Sequence, residues 1–247
     1  MKIAIVTTND FYSKIAMSDL ILSNRISYYV KANVPTRYKL KMFFKGLVKS
    51  PLYVTYMIGE MLYLSLHQKK LLKGIATIDR FDMKVSNIND IALTNELKKQ
   101  KIDMVLFIRP LLIVKKSFLE SFPESYNIHN TALPKYRGLG GIFQTMRHGE
   151  KILGITVHKM TSKLDAGDIA IQKMIEIPNG ASLLGLTINS YFEANKVLAE
   201  FVDKCSQDDV KLKPQDESVA SIFSWPKIGD FLEFYRCGFM LFRKIQY

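Results

Sequence analysis

Ile102-Asp103-Met104-Val105-Leu106-Phe107 is the stretch that decides the fold of this chain. It follows a charged segment, Lys98-Lys99-Gln100-Lys101, that has the character of a helix end. A short apolar run in this position predicts a buried central strand. In sheets of parallel strands, ligands bind beyond the carboxyl ends of the strands, near a topological switch point. Ile108–Ile113 and the stretch around Tyr126–Thr131 are therefore the first places to expect a site.

Strand-like and helix-like patterns alternate on both sides of this run. The alternation predicts an α/β fold with a Rossmann-like, mostly parallel sheet flanked by helices. No G-x-G-x-x-G or lysine phosphate loop follows the first strand, which disfavours a dinucleotide or phosphate-loop enzyme. The predicted strands are Lys2–Thr7, Ile26–Val30, Ile102–Phe107, Tyr126–His129, Gly154–Met160 and Asp168–Ile177. The predicted helices are Tyr12–Leu22, Arg37–Lys49, Pro51–Lys73, Asn89–Lys101, Lys115–Phe122, Gly141–His148 and Ala181–Cys205.

The composition is that of an ordinary globular protein with an excess of positive charge. The 247 residues are 48% hydrophobic and 23% charged, and the formal net charge is +12. These values exclude a disordered chain, a collagen and a disulfide scaffold. Two cysteines, Cys205 and Cys237, are too few for a disulfide framework, and the amino terminus MKIAIVTTND lacks the apolar length of a signal peptide. We therefore expect a reduced, cytoplasmic protein.

Chemistry-bearing residues concentrate in two segments, one around Asn127 and His129 and one around Asp165. Side chains two positions apart in a strand project from the same face, so Asn127 and His129 are expected side by side. A carboxylate from a second loop, Asp165, would orient the imidazole. An amide donor, an imidazole and a carboxylate are the groups needed to form and collapse a tetrahedral carbonyl adduct. Taken alone, an Asn-x-His pair is more often a structural hydrogen-bonding pair.

The wider pattern resembles the folate-dependent formyltransferase family. That family carries N-x-H, then leucine-proline-x-tyrosine-x-glycine, then L-D-x-G, and the spacing from Asn127 to Asp165 also suits it. Asn130-Thr131-Ala132 departs from the family's usual proline, serine and leucine. The similarity is strong over 102–177 and thinner elsewhere. The matching residues are Asn127, His129, Leu133, Pro134, Tyr136, Gly138, Leu164, Asp165 and Gly167.

The resemblance implies transfer of a formyl group from N10-formyltetrahydrofolate to an amine, without a metal. Asn127 would donate to the developing oxyanion, His129 would take part in proton transfer, and Asp165 would hold and charge-balance His129. His158, in an alternating strand, is a weaker candidate and is expected to be a packed or solvent-facing residue. The catalytic domain is expected at 1–205 with a basic helical insertion at about 36–73, and a short carboxyl-terminal extension at 206–247.

The donor and substrate pockets follow by analogy with the family. The loop after the Ile102–Phe107 strand matches a loop that reads the pterin ring, although its apolar residues also suit an ordinary core. Trp225 either stacks on a base or sugar or anchors the tail. The expected folate-binding residues are Arg109, Pro110, Leu111, Leu112, Ile113, Thr161 and Leu164, and the expected substrate-binding residues are Asn9, Arg137, Gly138 and Trp225.

The acceptor is expected to be a nucleotide-linked amino sugar of polysaccharide biosynthesis. A transfer-RNA formyltransferase of the family has a further domain after the catalytic one, and about 70 residues follow Ile177 here. The loop Thr7-Thr8-Asn9-Asp10 does not reproduce the phosphate loop of the glycinamide ribonucleotide enzyme. The segment from Ser221 to Gly238 resembles the short ending of amino-sugar N-formyltransferases. Glycinamide ribonucleotide and methionyl-tRNA stay as alternative acceptors.

The positive charge concentrates between Lys31 and Lys73, which contains nine Lys or Arg and a single acid, Glu60. Apolar residues at helical spacing occur in the same segment. Three interpretations remain open: a solvated helix face packed on the domain, a peripheral contact with anionic membrane, and attraction of polyanions. A basic membrane-surface or RNA-binding protein is the corresponding non-enzymatic alternative, although no RNA-binding motif is recognised and no nucleic-acid partner is expected. The apolar run Pro51–Leu66 is too short to span a membrane and makes a homodimer an expectation.

Overall fold

The computed structural model describes residues 1–243, and a seven-stranded sheet lies at its centre. The strands are β1 (Ile3–Thr7), β2 (Tyr28–Ala32), β3 (Met83–Val85), β4 (Met104–Ile108), β5 (Ser125–His129), β6 (Arg137–Gly138), β7 (Ile152–Lys159), β8 (Ile169–Glu176) and β9 (Ile222–Phe223). The helices are α1 (Phe11–Ala16), α2 (Ser18–Leu22), α3 (Thr36–Lys49), α4 (Pro51–Leu71), α5 (Ile91–Lys99), α6 (Lys116–Ser121), α7 (Gly141–Arg147), α8 (Leu183–Ser206) and α9 (Ile228–Arg236).

The large sheet has the strand order β3-β2-β1-β4-β5-β7-β8. The first five strands of this order, from β3 through β2, β1 and β4 to β5, are parallel to one another. Strand β7 runs antiparallel to β5, and β8 runs antiparallel to β7. The predicted fold class, a mostly parallel sheet flanked by helices, is confirmed. A separate two-stranded sheet pairs β6 with β9 in parallel.

The two central strands are apolar except for Thr7, because helices cover both of their faces. Every residue of β1 and β4 is buried. Ile3 and Ile5 of β1 pack in the cluster that includes α1 and α8, whereas Ala4 and Val6 pack in the cluster that includes α5 and α6. The alternation of side chains along a strand thus divides one apolar run between two cores.

Several element boundaries differ from the sequence-based predictions. The predicted helix 12–22 is two helices that meet at Met17, and the predicted strand 26–30 begins later, at Tyr28. The edge strand β3 was not predicted, because three residues are too few to show a period. The helix α9 was likewise absent from the predicted helices.

Helices α3 and α4 form a hairpin over residues 36–71, which we call the basic hairpin. Ser50 separates the two helices, and Pro51 takes the first turn of α4, where its missing N–H costs nothing. Both helices agree with the predicted ones to within two residues. Within residues 1–243, no helix is long and apolar enough to cross a membrane.

The residues that follow α8, from Gln207 onward, form the tail of the chain. The tail returns to the sheet instead of continuing away from it. β9 pairs with β6, and α9 packs its buried Phe231 and Phe234 against Phe143 of α7. Leu183 N–H at the start of α8 donates to the Met240 carbonyl. The tail therefore lies against the part of the chain that contains Asn127, His129 and Asp165. The division into 1–205 and 206–247 stays a prediction, and 244–247 lie outside the described residues.

Candidate active site

The loops after β1, β4 and β5 meet at one edge of the sheet, because these three strands are neighbours and parallel. This edge holds Thr8-Asn9-Asp10, the residues from Arg109 onward, and the segment that begins at Asn130. A site at the carboxyl edge was predicted from the pattern of strands, and the topology brings the predicted segments together there.

Asn127 and His129 lie on β5 and point to the same side of the sheet, where Asp165 approaches them from the loop between β7 and β8. His129 Nδ1 lies 3.9 Å from Asp165 Oδ2, and both side chains are mostly buried, at 15% and 12% exposed. This distance is longer than a hydrogen bond, so the contact becomes an ion pair when the imidazole is protonated. The structure therefore brings the three predicted catalytic residues together.

The hydrogen bond on the other nitrogen of His129 fixes its tautomer. Nε2 lies 3.0 Å from the backbone carbonyl of Tyr136, an oxygen that can only accept, so Nε2 carries the proton. In the neutral ring, Nδ1 is then unprotonated. Its lone pair is the one available to take a proton, and Asp165 is the nearest carboxylate to stabilise the resulting charge.

Asp165 is held by the backbone of Gly138. The Gly138 N–H donates to Asp165 Oδ2 over 2.9 Å. Gly138 has φ +90, and a Cβ there would stand 2.4 Å from the Phe223 carbonyl oxygen, so no other residue fits without a shift. Sequence reasoning predicted Gly138 as a substrate-binding residue, whereas its amide here serves the carboxylate.

His158 is packed, as one of its two predicted positions requires, but sequence reasoning did not connect it to Asn127. It is the cross-strand partner of Asn127 in the β5–β7 pair and is 2% exposed. Its Nδ1 lies 3.0 Å from the Lys159 carbonyl and so carries the proton, which leaves Nε2 to accept from Asn127 Nδ2 at 3.3 Å. One amide hydrogen of Asn127 is thereby engaged, and the other is free to serve the site.

The environment of His158 favours its neutral form. The pKa of His158 is lowered to about 4, chiefly by burial and to a smaller extent by His129, although Asp165, at 3.8 Å, opposes the shift. A neutral His158 keeps the Nε2 lone pair that accepts from Asn127. The alternation of the sequence placed His158 in a strand, but the register that sets it opposite Asn127 is visible only in the sheet.

The tail supplies a second support for the Asp165 loop through Gln215. Its side-chain nitrogen donates to the carbonyls of Asp165 and Gly167, at 2.9 Å and 2.6 Å. Its oxygen accepts from Arg137 Nη2 at 2.7 Å. Since Asp165 has a left-handed φ of +50, these bonds help to hold an unfavourable backbone conformation.

Arg137 was predicted to bind substrate, and its contacts instead connect β6 to the tail. Its side chain is 4% exposed, and it makes a two-point ion pair with Glu217 in addition to the bonds to Gln215. Its guanidinium donors are thus engaged within the protein. The residue acts here as a structural link between β6 and the Asp165 loop.

The loop that follows β4 is predicted to bind the folate donor. One of its side chains turns inward, and others turn toward solvent. Arg109, with φ +51, pairs its Nε with Asp10 at 2.8 Å and donates from Nη1 to the Tyr191 hydroxyl at 2.8 Å. Burial raises the pKa of Asp10, but the charge of Arg109 and the hydrogen bonds to the carboxylate hold it below its usual range. The Arg109 side chain therefore ties the β4 loop to α1 and α8.

The apolar residues of that loop are available at the surface. Leu111 and Ile113 are exposed, whereas Leu112 is half-buried against the core beside α5 and α6. Exposed apolar side chains beside a mostly buried polar trio suit the walls of a pocket for a flat heteroaromatic ring. Pro110 is half-buried, and Thr161 and Leu164 are exposed on the loop that carries Asp165.

The remaining two predicted substrate residues lie in different surroundings. Asn9, with φ +55, has a buried side-chain oxygen that finds no hydrogen-bond partner among the described residues. Trp225 is half-buried at the basic hairpin, where it packs edge-on to Tyr53 and contacts the position of Gly46. Trp225 therefore anchors the tail to the hairpin, which was one of its two predicted roles.

The fold and the Asn–His–Asp group define an α/β enzyme with the parts of an acyl-group transferase. A family model described as formyl transferase matches residues 65–202, and the chain belongs to this family. The resemblance inferred from the motifs is thus confirmed at the level of the family. The match begins inside α4, so α3 and the first part of α4 lie outside it.

Individual relatives agree on the family and differ in their acceptors. A methionyl-tRNA formyltransferase of Kosmotoga olearia is 36% identical over 126 residues, which are 51% of this chain and 40% of that protein. The chain spans about half the length of the curated relatives it matches. A glycinamide ribonucleotide transformylase of Symbiobacterium toebii superposes with a TM-score of 0.60 at 18% identity, covering 87% of this chain and 94% of that one. An N-formyltransferase of Helicobacter canadensis, solved with folinic acid and dTDP-3-aminofucose, gives 0.58 at 16% identity, covering 93% and 72%.

Proposed function

We propose that this protein transfers a formyl group from N10-formyltetrahydrofolate to the primary amine of a nucleotide-linked amino sugar. The observation that carries the transfer chemistry is the convergence of Asn127, His129 and Asp165 at the carboxyl edge of the sheet. Exposed Leu111, Ile113 and Leu164 suit the walls of a pterin pocket beside this group.

The residues divide the reaction into charge stabilisation and proton transfer. The donor supplies an activated formyl carbon, and the amine of the acceptor adds to it. Asn127 donates its free amide hydrogen to the oxygen on which negative charge develops. His129 Nδ1 takes the proton that the amine loses, and Asp165 stabilises the imidazolium from 3.9 Å. When the adduct collapses, the bond from the formyl carbon to the folate nitrogen breaks, and the proton passes from Nδ1 to that nitrogen.

Two features support a nucleotide-linked sugar as the acceptor. The tail that resembles amino-sugar enzymes packs at the site, where Ile222 and Phe223 pair with Arg137 and Gly138. The Helicobacter canadensis neighbour, whose structure holds a nucleotide-linked 3-amino sugar, shares its fold with 93% of this chain. Methionyl-tRNA is the second candidate acceptor, and the curated relatives favour it.

An acceptor panel separates these candidates. The purified protein is incubated with N10-formyltetrahydrofolate and, in parallel, nucleotide-linked 3- and 4-amino sugars, glycinamide ribonucleotide and methionyl-tRNA, and formylated products are detected by mass spectrometry. We expect formylation of an amino sugar. If methionyl-tRNA or the ribonucleotide is formylated and no sugar is, the proposed acceptor is wrong and the proposed formyl transfer still holds. The absence of any formylated product would reject the proposed function.

A further inference from the structure

The apolar stripe of α3 is uncovered. The sequence allowed it to be a face packed on the domain, yet five large apolar side chains along it are between 41% and 85% exposed. Gly46 is the buried residue of this 14-residue helix. The exposed side chains are Leu40, Phe43, Phe44, Leu47 and Val48.

The orientation of α3 explains why the stripe is uncovered. Gly46 marks the side that touches the protein, since a Cβ there would contact Val54 and Trp225. At 3.6 residues per turn, the centre of the apolar stripe lies about 130° around the helix from Gly46. The stripe therefore points away from the body of the protein.

Helix α4 extends the exposed apolar surface. Its mean composition is apolar, but only Val54, Tyr56 and Leu71 are buried. An exposed apolar area of this kind on one element marks an interaction surface more often than a solvated one. The exposed apolar side chains of α4 are Leu52, Met57, Ile58, Met61, Leu62 and Leu66.

Positive charge accompanies the apolar surface, and the acid of the segment is withdrawn from it. Arg37, Lys41 and Lys45 follow one another by a turn along α3, beside the apolar stripe, and they take part in no ion pair with the described residues. Glu60 faces inward, where it accepts hydrogen bonds from the hydroxyls of Tyr12 and Tyr56. The outer surface of the hairpin is thus both apolar and cationic.

The combination of charge and apolar surface selects among three kinds of occupant. A second copy of the chain would cover the apolar side chains but would set two cationic faces against each other. RNA would neutralise the cations but would leave Phe44 and Val48 in water. An anionic lipid surface satisfies both, because apolar side chains enter the boundary of headgroups and acyl chains while Lys and Arg remain among the phosphates.

We propose that the basic hairpin docks the protein on the surface of an anionic lipid bilayer. The hairpin lies in the plane of the interface with the side chains of Phe43, Phe44, Leu47 and Val48 inserted. Neither helix crosses the bilayer. This inference does not depend on the acceptor or on the formyl transfer reaction.

Vesicle sedimentation with the full chain tests the proposal. The probes are vesicles of phosphatidylcholine alone and of phosphatidylcholine with phosphatidylglycerol, each at low and high salt. We expect binding to the anionic vesicles at low salt, and binding at least ten-fold weaker both to the neutral vesicles and at high salt. Phe44→Ser with Val48→Ser should weaken anionic binding at least ten-fold, since it removes two inserted side chains. Lys41→Glu with Lys45→Glu should weaken it by a similar factor.

Leu232→Ser with Tyr235→Ser is the matched control, because these exposed apolar residues lie on α9, outside the hairpin. It should bind anionic vesicles as the parent chain does, and circular dichroism confirms that each variant is folded. No binding to anionic vesicles at low salt overturns the proposal. Unchanged binding of Phe44→Ser with Val48→Ser to anionic vesicles also overturns the proposal. Such a result indicates attraction by charge alone, which RNA would also provide. A dimer in sedimentation equilibrium that dissociates in that variant, without vesicle binding, makes a second copy the occupant.

Discussion

The amide of Asn127 is oriented by a residue outside the motif that drew attention to the site. His158 on β7 is the cross-strand neighbour of Asn127 on β5, and the Lys159 carbonyl fixes the proton of His158 on Nδ1. The acceptor nitrogen of a neutral His158 then decides which hydrogen of the amide is free. At the scale of single residues, the site is a proton-acceptor pair, His129 and Asp165, beside an oriented amide.

Replacing His158 tests this positioning role. His158→Ala removes the acceptor for Asn127, and a misplaced donor lowers kcat by about 10- to 100-fold, with a smaller change in KM. His158→Gln keeps an acceptor oxygen and should recover part of kcat. His67→Ala, on α4, is the control and should have the parent's kcat. Equal kcat in all three folded variants contradicts the positioning role.

The depressed pKa of His158 also predicts a pH dependence of stability. Its pKa is about 4 in the folded chain and about 6.5 when unfolded. Between these values the unfolded chain binds the proton and the folded chain does not, so the free energy of unfolding falls as pH falls from about 6.5 to about 4. Below both values the loss is complete.

Denaturant unfolding of the parent and of His158→Gln, at several pH values in this window, measures the effect. The parent should lose stability more steeply than the variant as the pH is lowered, since each pKa unit of difference is worth about 1.4 kcal/mol. If the free energies of unfolding of the two proteins fall in parallel as the pH is lowered, His158 is not held neutral by burial.

At the scale of elements, the tail and the loop between β7 and β8 form one unit. Gln215 connects Arg137 to the backbone of Asp165, and β9 pairs with the strand that contains Gly138. The donor that holds the Asp165 carboxylate and the bonds that hold its backbone thus both depend on residues after α8. The carboxyl-terminal segment is part of the site.

Gln215→Ala should lower kcat by about ten-fold, because it releases the Asp165 and Gly167 carbonyls and loosens a strained loop. Gln207→Ala, at the end of α8, serves as the control, and near-ultraviolet circular dichroism reports whether the tail remains packed. Unchanged kcat in folded Gln215→Ala means that the Asp165 loop keeps its geometry without this bond.

Gly138→Ala should destabilise the protein by about 1–3 kcal/mol and lower activity as well. The position has φ +90, and a Cβ would press on the Phe223 carbonyl, so the pairing of β6 with β9 must shift. Thermal unfolding measures the first effect and the transfer assay the second. Gly74→Ala has a similar φ with open space around it, so it separates the cost of the backbone from the cost of the contact.

Most of the elements and the meeting of the three proposed catalytic residues could be predicted because they rest on local patterns. The apolar run at Met104–Ile108, the Asn-x-His pair and the loop of Asp165 each carry their signal in a few consecutive residues. His158 and Gln215 carry none, since their importance comes from strand register and from a tail that returns to the sheet. Arg137 was predicted to bind substrate from its place beside a motif, and its contacts with Glu217 and Gln215 carry no signal in the sequence either.

At the scale of the whole molecule, the charge of the chain is unevenly distributed. The basic hairpin holds seven Lys or Arg and one acid, so half of the net charge of +12 lies on the outside of the fold and largely outside the matched family segment. Sequence periodicity identified its apolar stripe but not the direction in which the stripe faces. That direction depends on Gly46, whose lack of a side chain lets Trp225 and Val54 approach α3.

Comparison of the parent chain with Asn127→Ala shows whether Asn127 and its partners transfer a formyl group to an amine. Both proteins are incubated with N10-formyltetrahydrofolate and the acceptor panel, and the formylated product is quantified over time after circular dichroism has shown both to be folded. We expect the parent chain to formylate an amino sugar, and we expect the rate to be lower by about 10²–10³ in the variant, the cost of losing one oxyanion donor. An equal rate in the folded variant, or no formylated amine from the parent chain, would contradict this expectation.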